Sequence, residues 1–139
     1  MVRFDARNDI AVLRVGGLER APLALAPDSR AQTAGAILGY PLDGPLAAEP
    51  ARIGITEEVQ TSDAYGRGPL SRRLTVVRGL IRPGNSGGPV VARSGAVLTT
   101  IFAATTSPGP KGGYGVSNDT VRADLTGLRG AVSTDGCTS

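Results

Sequence analysis

The chain of 139 residues is long enough for one domain with a buried core. Hydrophobic residues make up 40% of it and charged residues 19%, which excludes a disordered chain and is typical of a globular protein. Its net charge is +3 and aromatic residues make up 4%, so it lacks the basic and aromatic surface expected of a nucleic-acid-binding protein.

The first predicted element is a strand near the N-terminus. Asp9 precedes an apolar run over residues 10–15, which two glycines end, and this run predicts a buried strand. Residues 18–34 follow as a mixed segment with prolines and charges, and we interpret them as a connector at a domain boundary. The 20 glycines and 10 prolines of the chain favour an all-β fold with many turns.

Short apolar runs separated by turn signals continue after the connector. They predict strands over residues 36–40, 51–59, 74–81, 88–92, 96–104 and 114–117. Alternation within the second of these strands places Ile53 and Ile55 on one face. The densest basic stretch is expected on a solvated β-surface and consists of Arg72, Arg73, Arg78 and Arg82.

One helix is predicted, near the C-terminus. A polar cluster at residues 117–119 can cap its first turn by accepting a hydrogen bond from a backbone N–H. Val121, Leu125 and Leu128 recur at helical spacing and would form one apolar stripe. Glycines around the last of these positions can end the helix.

Residues 82–89, Arg-Pro-Gly-Asn-Ser-Gly-Gly-Pro, lie between two predicted strands and indicate a catalytic serine. A serine hydroxyl needs a base that takes its proton and donors that stabilise the developing oxyanion. Gly84 and Ser86 can supply these donors through their backbone N–H groups, because glycine lets the turn point both the same way. Ser86 is therefore the candidate nucleophile, although the chain contains no histidine.

The segment also fits two other interpretations. It could be a plain Gly/Ser loop, although the full eight-residue pattern between apolar strands is more specific than that. It also satisfies G-x-S-x-G, the nucleophile elbow of α/β-hydrolases. That elbow needs a helix directly after the serine, whereas residues 89–91 are strand-like, and it needs a later histidine.

With the apolar strand before it, segment 82–89 resembles the serine region of chymotrypsin-like proteases, especially the bacterial high-temperature-requirement type. Residues 9–15 resemble the catalytic aspartate and its strand in that family, and residues 114–117 resemble the closing segment. The family order is His, Asp, Ser. The resemblance implies that Asp9 and Ser86 are catalytic, with Asp5 as the competitor of Asp9, and that the histidine lies upstream.

The resemblance also implies a fold and a division into segments. Residues 35–139 would form the second antiparallel six-stranded β-barrel of a double barrel, with one C-terminal helix. Residues 1–17 would be the last strand of the first barrel, and residues 18–34 the connector between barrels. Without its first barrel, the strand at 9–15 would lack sheet partners, so a strand-swapped dimer is one expectation.

The resemblance assigns substrate-binding roles as well. Leu80, six residues before the nucleophile, would form the base of the primary specificity pocket and would favour an apolar or small side chain. The walls of this pocket would come from Ile101, Ala103, Ala104, Thr105, Gly113, Tyr114 and Gly115. Asn85 stands where many family members have Asp, so we do not expect activation by a salt bridge to a freshly cut N-terminus.

Cys137 is the lone cysteine, either an unpaired tail thiol or half of a disulfide to a missing upstream segment. No apolar run reaches the length of a bilayer span, and no signal peptide is visible. The Arg- and Ala-rich composition and the Cys-Thr-Ser ending are similar to membrane-anchored periplasmic acid-resistance proteases of mycobacteria. They imply an extracytoplasmic protein anchored through a missing N-terminal region.

The expected function is thus that of a serine endopeptidase fragment, inactive without its histidine. The expected partners are a peptide or protein substrate and the upstream half of the same protease, with no cofactor and no metal. The alternative is a non-catalytic module that binds peptides without cutting them.

Overall fold

The computed structural model describes residues 1–27, 30–106 and 108–133. Its strands are β1 (Arg3–Asp5), β2 (Ile10–Val12), β3 (Ala34–Gly39), β4 (Ala47–Thr61), β5 (Leu70–Gly79), β6 (Pro89–Ala92), β7 (Val97–Ala104) and β8 (Gly112–Val116). A 3-10 turn spans Pro41–Asp43, and helix α1 spans Asn118–Asp124. No helix within the described ranges is both long enough and apolar enough to cross a bilayer.

Six of the strands form a closed barrel. Their order is β3-β4-β5-β8-β7-β6, every neighbouring pair is antiparallel, and β6 closes the ring by pairing with β3. Short connections between successive strands, such as the turn at Gly95 with φ +84, make antiparallel neighbours. The prediction of an all-β, six-stranded antiparallel barrel with one C-terminal helix is confirmed.

Aliphatic side chains fill the barrel. Those that are fully buried in the core cluster come from β3, β4, β5, β6 and β7 and are Ile37, Ile53, Val77, Val90 and Ile101. Burying one such side chain contributes roughly 1.5–3 kcal/mol. The barrel core therefore forms without aromatic side chains, as the composition requires.

The prediction of which β4 side chains point into the core is wrong beyond Ile53. Ile53 is buried, but Ile55 is 59% exposed. The pairing of β4 with β5 shifts register between Ile53 and Thr56, and such a bulge reverses which residues point inward. Thr56 turns inward instead, and its hydroxyl lies 2.9 Å from the hydroxyl of Thr75.

The N-terminal strand also differs from its prediction. Strand β2 is short and only partly buried, and Leu13 and Val15, predicted in the same strand, are 65% and 60% exposed. It does not lack a sheet partner, because β1 pairs with it antiparallel from Arg3↔Val12 to Asp5↔Ile10. Within the described residues β2 pairs on this one edge, so the physical reason given for a strand-swapped dimer now applies only to its other edge.

This β1–β2 hairpin lies against the barrel and the helix. The N–H of Ala64 in the β4–β5 loop donates to the carbonyl of Ala6 at 2.8 Å, and Arg7 donates to the carbonyl of Ser71 at 3.1 Å. Arg3 reaches the end of α1, where its Nε lies 3.6 Å from a carboxylate oxygen of Asp124. The hairpin is thus fixed to two separate parts of the molecule.

Helix α1 is shorter than predicted. Ser117 is its N-cap, and the Ser117 hydroxyl accepts a hydrogen bond from the N–H of Thr120 at 3.4 Å. The helix ends at Asp124, so Leu125 and Leu128 lie beyond it, and Leu125 is 46% exposed. The predicted apolar stripe is wrong beyond Val121, because the chain turns before a third helical turn forms.

The connector joins the barrel through residues 24–26. The N–H of Ala26 donates to the carbonyl of Val97, and the N–H of Val97 donates to the carbonyl of Ala24, both at 2.8 Å. Buried Asn118 donates through Nδ2 to the carbonyls of Ala26 and Val97. The connector, the helix and β7 are therefore tied at one point.

Candidate active site

The turn that carries Ser86 is held by its own backbone and by Asn85. The N–H of Asn85 donates to the carbonyl of Arg82 at 3.0 Å, and the N–H of Arg82 donates to Oδ1 of Asn85 at 2.9 Å. Asn85 is 1% exposed, so its side chain fixes the turn from inside the protein. Gly84 has φ +91, a conformation that glycine adopts at little cost.

Gly84 lies against the segment after β3. A Cβ on Gly84 would collide with the carbonyl oxygen of Tyr40 and would lie 3.2 Å from the nitrogen of Leu42. The N–H of Leu42 donates to the carbonyl of Pro83 at 2.9 Å. Because a trans peptide is planar, with N–H and C=O pointing in opposite directions, the N–H of Gly84 points away from Leu42.

Ser86 is exposed at the end of this turn, and the residues after it join the barrel. The N–H of Gly87 donates to the carbonyl of Ile101, and the N–H of Ile101 donates to the carbonyl of Gly88, both at 2.8 Å. Among the residues that the structure describes, neither the Gly84 N–H nor the Ser86 N–H donates a hydrogen bond. Both backbone donors are therefore free to bind an incoming oxygen.

Ser86 and Asp9 line one cavity of about 360 Å³ between the hairpin and the barrel. Residues 9–13 form one side of it, and Ser86, Gly87 and residues 100–102 form the other. Val121 and Leu125 contribute from the helical end. The hairpin thus brings an exposed carboxylate to the same space as the candidate nucleophile.

Asp5 has a different position. Its carboxylate accepts hydrogen bonds from the backbone N–H of Asn8 at 3.0 Å and from Nδ2 of Asn8 at 2.6 Å. Asp5 therefore stabilises the turn between β1 and β2, and it does not line the cavity that contains Ser86.

Arg72 is a buried cation, although its place in a basic stretch predicts a solvated surface. It is 2% exposed, its guanidinium lies 4.7 Å from the ring centroid of Phe102, and Nη2 donates to the carbonyl of Ser62. Burial lowers the pKa of Arg72, while Asp9, Asp5 and Asp63 act in the opposite direction. The expectation of a solvated β-surface is wrong at this position.

Alternation along β5 is the signal that could have placed Arg72 inside. Arg72 shares a face with buried Leu74, two residues further along the strand. Its guanidinium stacks on Phe102, which lines the Ser86 cavity. Arg72 therefore contacts a residue that lines the Ser86 cavity and also interacts electrostatically with the carboxylates of the hairpin.

The other predicted substrate-binding residues occupy two places. Of the predicted wall residues, Ile101 lines the Ser86 cavity. The others are not among the residues that line that cavity, and they lie at or just after the end of β7, within β8, or just after β5: Leu80, Ala103, Ala104, Thr105, Gly113, Tyr114 and Gly115. Strands β7 and β8 approach each other closely there, since a Cβ on Gly113 would collide with the carbonyl oxygen of Ala103. Their roles in substrate binding stay predictions.

The amino-acid sequence is similar to those of known proteins. A family model described as a trypsin-like peptidase domain matches residues 1–98. Serine protease Rv3671c of Mycobacterium tuberculosis H37Rv is 35% identical over 106 residues, which cover 75% of this chain and 27% of that protein. Serine protease MT3772 of the CDC 1551 strain gives the same values. The chain therefore spans about a quarter of the length of these curated relatives.

Solved structures of the same relative match in backbone. The active form of the Rv3671c protease has a TM-score of 0.88 and 31% identity, covering 99% of this chain and 62% of that chain. An inactive form has a TM-score of 0.77 and 29% identity, covering 93% of this chain and 66% of that chain.

Proposed function

The chain belongs to the family of trypsin-like peptidase domains, and we propose that it carries the nucleophile, the triad aspartate and the oxyanion hole of a serine endopeptidase. Family membership implies a peptide or protein substrate. The observation that carries the proposal is that Ser86 and Asp9, distant in sequence, line one cavity.

The proposed chemistry follows from the turn. Oγ of Ser86 attacks the scissile carbonyl carbon while its proton passes to an imidazole. The N–H groups of Gly84 and Ser86 bind the resulting oxyanion, and donors of this kind supply a large part of such rate enhancements. The imidazole returns the proton to the leaving amine as the C–N bond breaks, and water then releases the acyl group by the same steps.

The base of this reaction must come from elsewhere, because these 139 residues include no histidine. We propose that an upstream segment of the protease places a histidine in the cavity between Asp9 and Ser86. Asp9 would accept a hydrogen bond from that imidazole and hold it in the correct tautomer. The chain is then inactive by itself.

A further observation supports these assignments. Asp5 is already engaged with Asn8, whereas Asp9 faces the cavity, which favours Asp9 as the triad residue.

The cellular location of the protein and the disulfide through Cys137 remain proposals. The extracytoplasmic location, the anchor through an N-terminal region and a role in acid resistance follow from the resemblance in sequence. Cys137, proposed to form a disulfide with an upstream segment, lies outside the described residues.

A fluorophosphonate probe, which reacts with activated serine hydroxyls, tests the proposal. We expect it to label Ser86 in a longer protein that includes an upstream histidine, and to label the 139-residue chain poorly. The Ser86→Ala substitution should abolish labelling. Asp9→Asn should slow it by up to about 10⁴-fold, as loss of the triad aspartate does in such enzymes, while the matched Asp5→Asn change should cost far less.

Efficient labelling of the 139-residue chain alone would overturn the role of an upstream histidine. The absence of histidine also favours a second candidate, a module that binds peptides without cutting them. This candidate would be correct if the longer protein resists the probe but binds peptides equally well with and without Ser86→Ala.

A further inference from the structure

The carbonyl of Pro83 has one backbone partner, and that partner has an unusual conformation. The N–H of Leu42 donates to this carbonyl at 2.9 Å. Leu42 has φ 56 and ψ 38, in the left-handed region that residues with a Cβ rarely adopt. Its side chain is 69% exposed, so burial does not explain the conformation.

The turn around Leu42 is closed by a backbone hydrogen bond. Pro41, whose ring restricts φ, precedes Leu42, and the N–H of Gly44 donates to the carbonyl of Pro41 at 3.0 Å. Asp43 also has φ 56. Two consecutive left-handed residues therefore form this turn, and the N–H of Leu42 at its start faces the Ser86 turn.

The two turns also touch each other directly. A Cβ on Gly84 would meet the carbonyl of Tyr40, and it would lie 3.3 Å from Cα of Pro41. Backbone lies against backbone here, with no side chain between that could adapt. A shift of segment 40–42 therefore changes the space available to the Pro83–Gly84 peptide.

We propose that Leu42 is a positioning residue for the oxyanion hole. Its left-handed conformation aims its N–H at the carbonyl of Pro83, and the planar peptide then presents the N–H of Gly84 on the opposite side. If Leu42 adopts a negative φ while the chain on both sides stays in place, the Pro41–Leu42 peptide must rotate, its N–H leaves this carbonyl, and the Pro83–Gly84 peptide loses the partner that holds it. The inference rests on the proposed function, because it assigns a task to Leu42 only if Gly84 binds an oxyanion.

The turn is then held at two points with different roles. Asn85, 1% exposed, fixes its base by accepting a hydrogen bond from the N–H of Arg82. Leu42 fixes the tip from the surface. A surface residue that touches no substrate would therefore control a transition-state donor.

A substitution series at Leu42 in the complete protease tests this inference. Glycine and asparagine tolerate the left-handed region, whereas valine, branched at Cβ, opposes it. We expect Leu42→Val to lower kcat by about tenfold with little change in KM, because the donor acts on the transition state. Leu42→Gly and Leu42→Asn should keep kcat near that of the unchanged protein.

Leu46 offers a matched control, since it is a nearby leucine, 62% exposed, and is not among the residues with positive φ. Leu46→Val should leave kcat unchanged. Thermal unfolding of each variant shows that it is folded at the assay temperature. The inference is overturned if folded Leu42→Val keeps its kcat, or if Leu42→Gly and Leu42→Asn lose as much as Leu42→Val.

The series also separates this inference from the proposed function. If Ser86→Ala retains activity, the proposed function fails. If Ser86→Ala is inactive and the Leu42 series shows no change, only the role of Leu42 fails.

Discussion

Gly84 meets two demands at once in the turn before Ser86. Its φ of +91 is costly for any residue with a Cβ, and its neighbours leave no space for one. Gly95, in the β6–β7 hairpin, meets only the first demand, since its φ is +84 and nothing lies within 4 Å of an added Cβ. Alanine substitutions at the two glycines therefore separate the cost of backbone strain from the cost of a steric collision.

We predict that Gly84→Ala destabilises the chain more than Gly95→Ala. The positive φ should cost each variant about 1 kcal/mol, and the backbone collision should add about 1–3 kcal/mol for Gly84→Ala. Urea unfolding of the 139-residue chain measures both. Equal losses would show that segment 40–42 moves aside without cost.

Local conformation that depends on neighbours in sequence was predicted well, and burial that depends on other strands was not. The pattern at 82–89 gave a turn with Gly84 and Ser86 in it, because the pattern is local. Ile55 was misplaced because a bulge in β4 depends on pairing with β5. Arg72 was misplaced because a charge is normally exposed, and its ring partner Phe102 lies on another strand.

The hairpin and helix α1 meet where the carboxylates of Asp5 and Asp124 interact. Burial is the main cause that raises the pKa of Asp124, Asp5 acts in the same direction, and Arg3 opposes both. A pKa that is higher in the folded chain than in the unfolded chain means that the folded chain binds more protons between the two values. Its contribution to stability therefore falls as pH rises through that interval.

We predict that Asp124→Asn stabilises the chain at neutral pH, because it removes a buried charge. The advantage should shrink as pH falls through the folded-state pKa of Asp124, where the carboxyl becomes neutral by itself. Urea midpoints from neutral pH down to about pH 4 measure this effect. A variant that is less stable at neutral pH would show that the pairing with Arg3 dominates.

Asp119 provides the control on the same helix. Its carboxylate lies 2.9 Å from Arg122 and 3.8 Å from Arg73 at the surface. Asp119→Asn should therefore lower stability slightly at neutral pH, by about 0–1 kcal/mol. Each substitution removes one negative charge, but Asp124→Asn is expected to raise stability and Asp119→Asn to lower it.

The sequence located the barrel strands to within a few residues because each is a short apolar run between turn residues. It missed β1, which has three residues and no alternating pattern. It overextended α1 because Leu125 and Leu128 continue the helical spacing after the helix has ended. Such endings depend on packing against other elements, which spacing does not record.

The closed barrel and the paired hairpin together leave little reason for exchange of strands between molecules. Strand β6 closes the ring against β3, and β1 occupies one edge of β2. We predict that the 139-residue chain is a monomer, since closure removes the barrel edges that recruit other chains and each hairpin strand has only three residues. Light scattering across a range of concentrations tests this, and a mass that rises to two chains would restore the swapped dimer.

The hairpin carries Asp9 and the barrel carries Ser86, and no barrel strand pairs with the hairpin among the described residues. Local opening of the hairpin would therefore remove Asp9 without breaking a barrel strand pair, in the way that weakly attached segments open before a core. On the proposed roles, the fraction of molecules with the hairpin docked multiplies the catalytic rate. Contacts that hold the hairpin against the barrel would therefore set the rate of the proposed reaction without contacting the substrate.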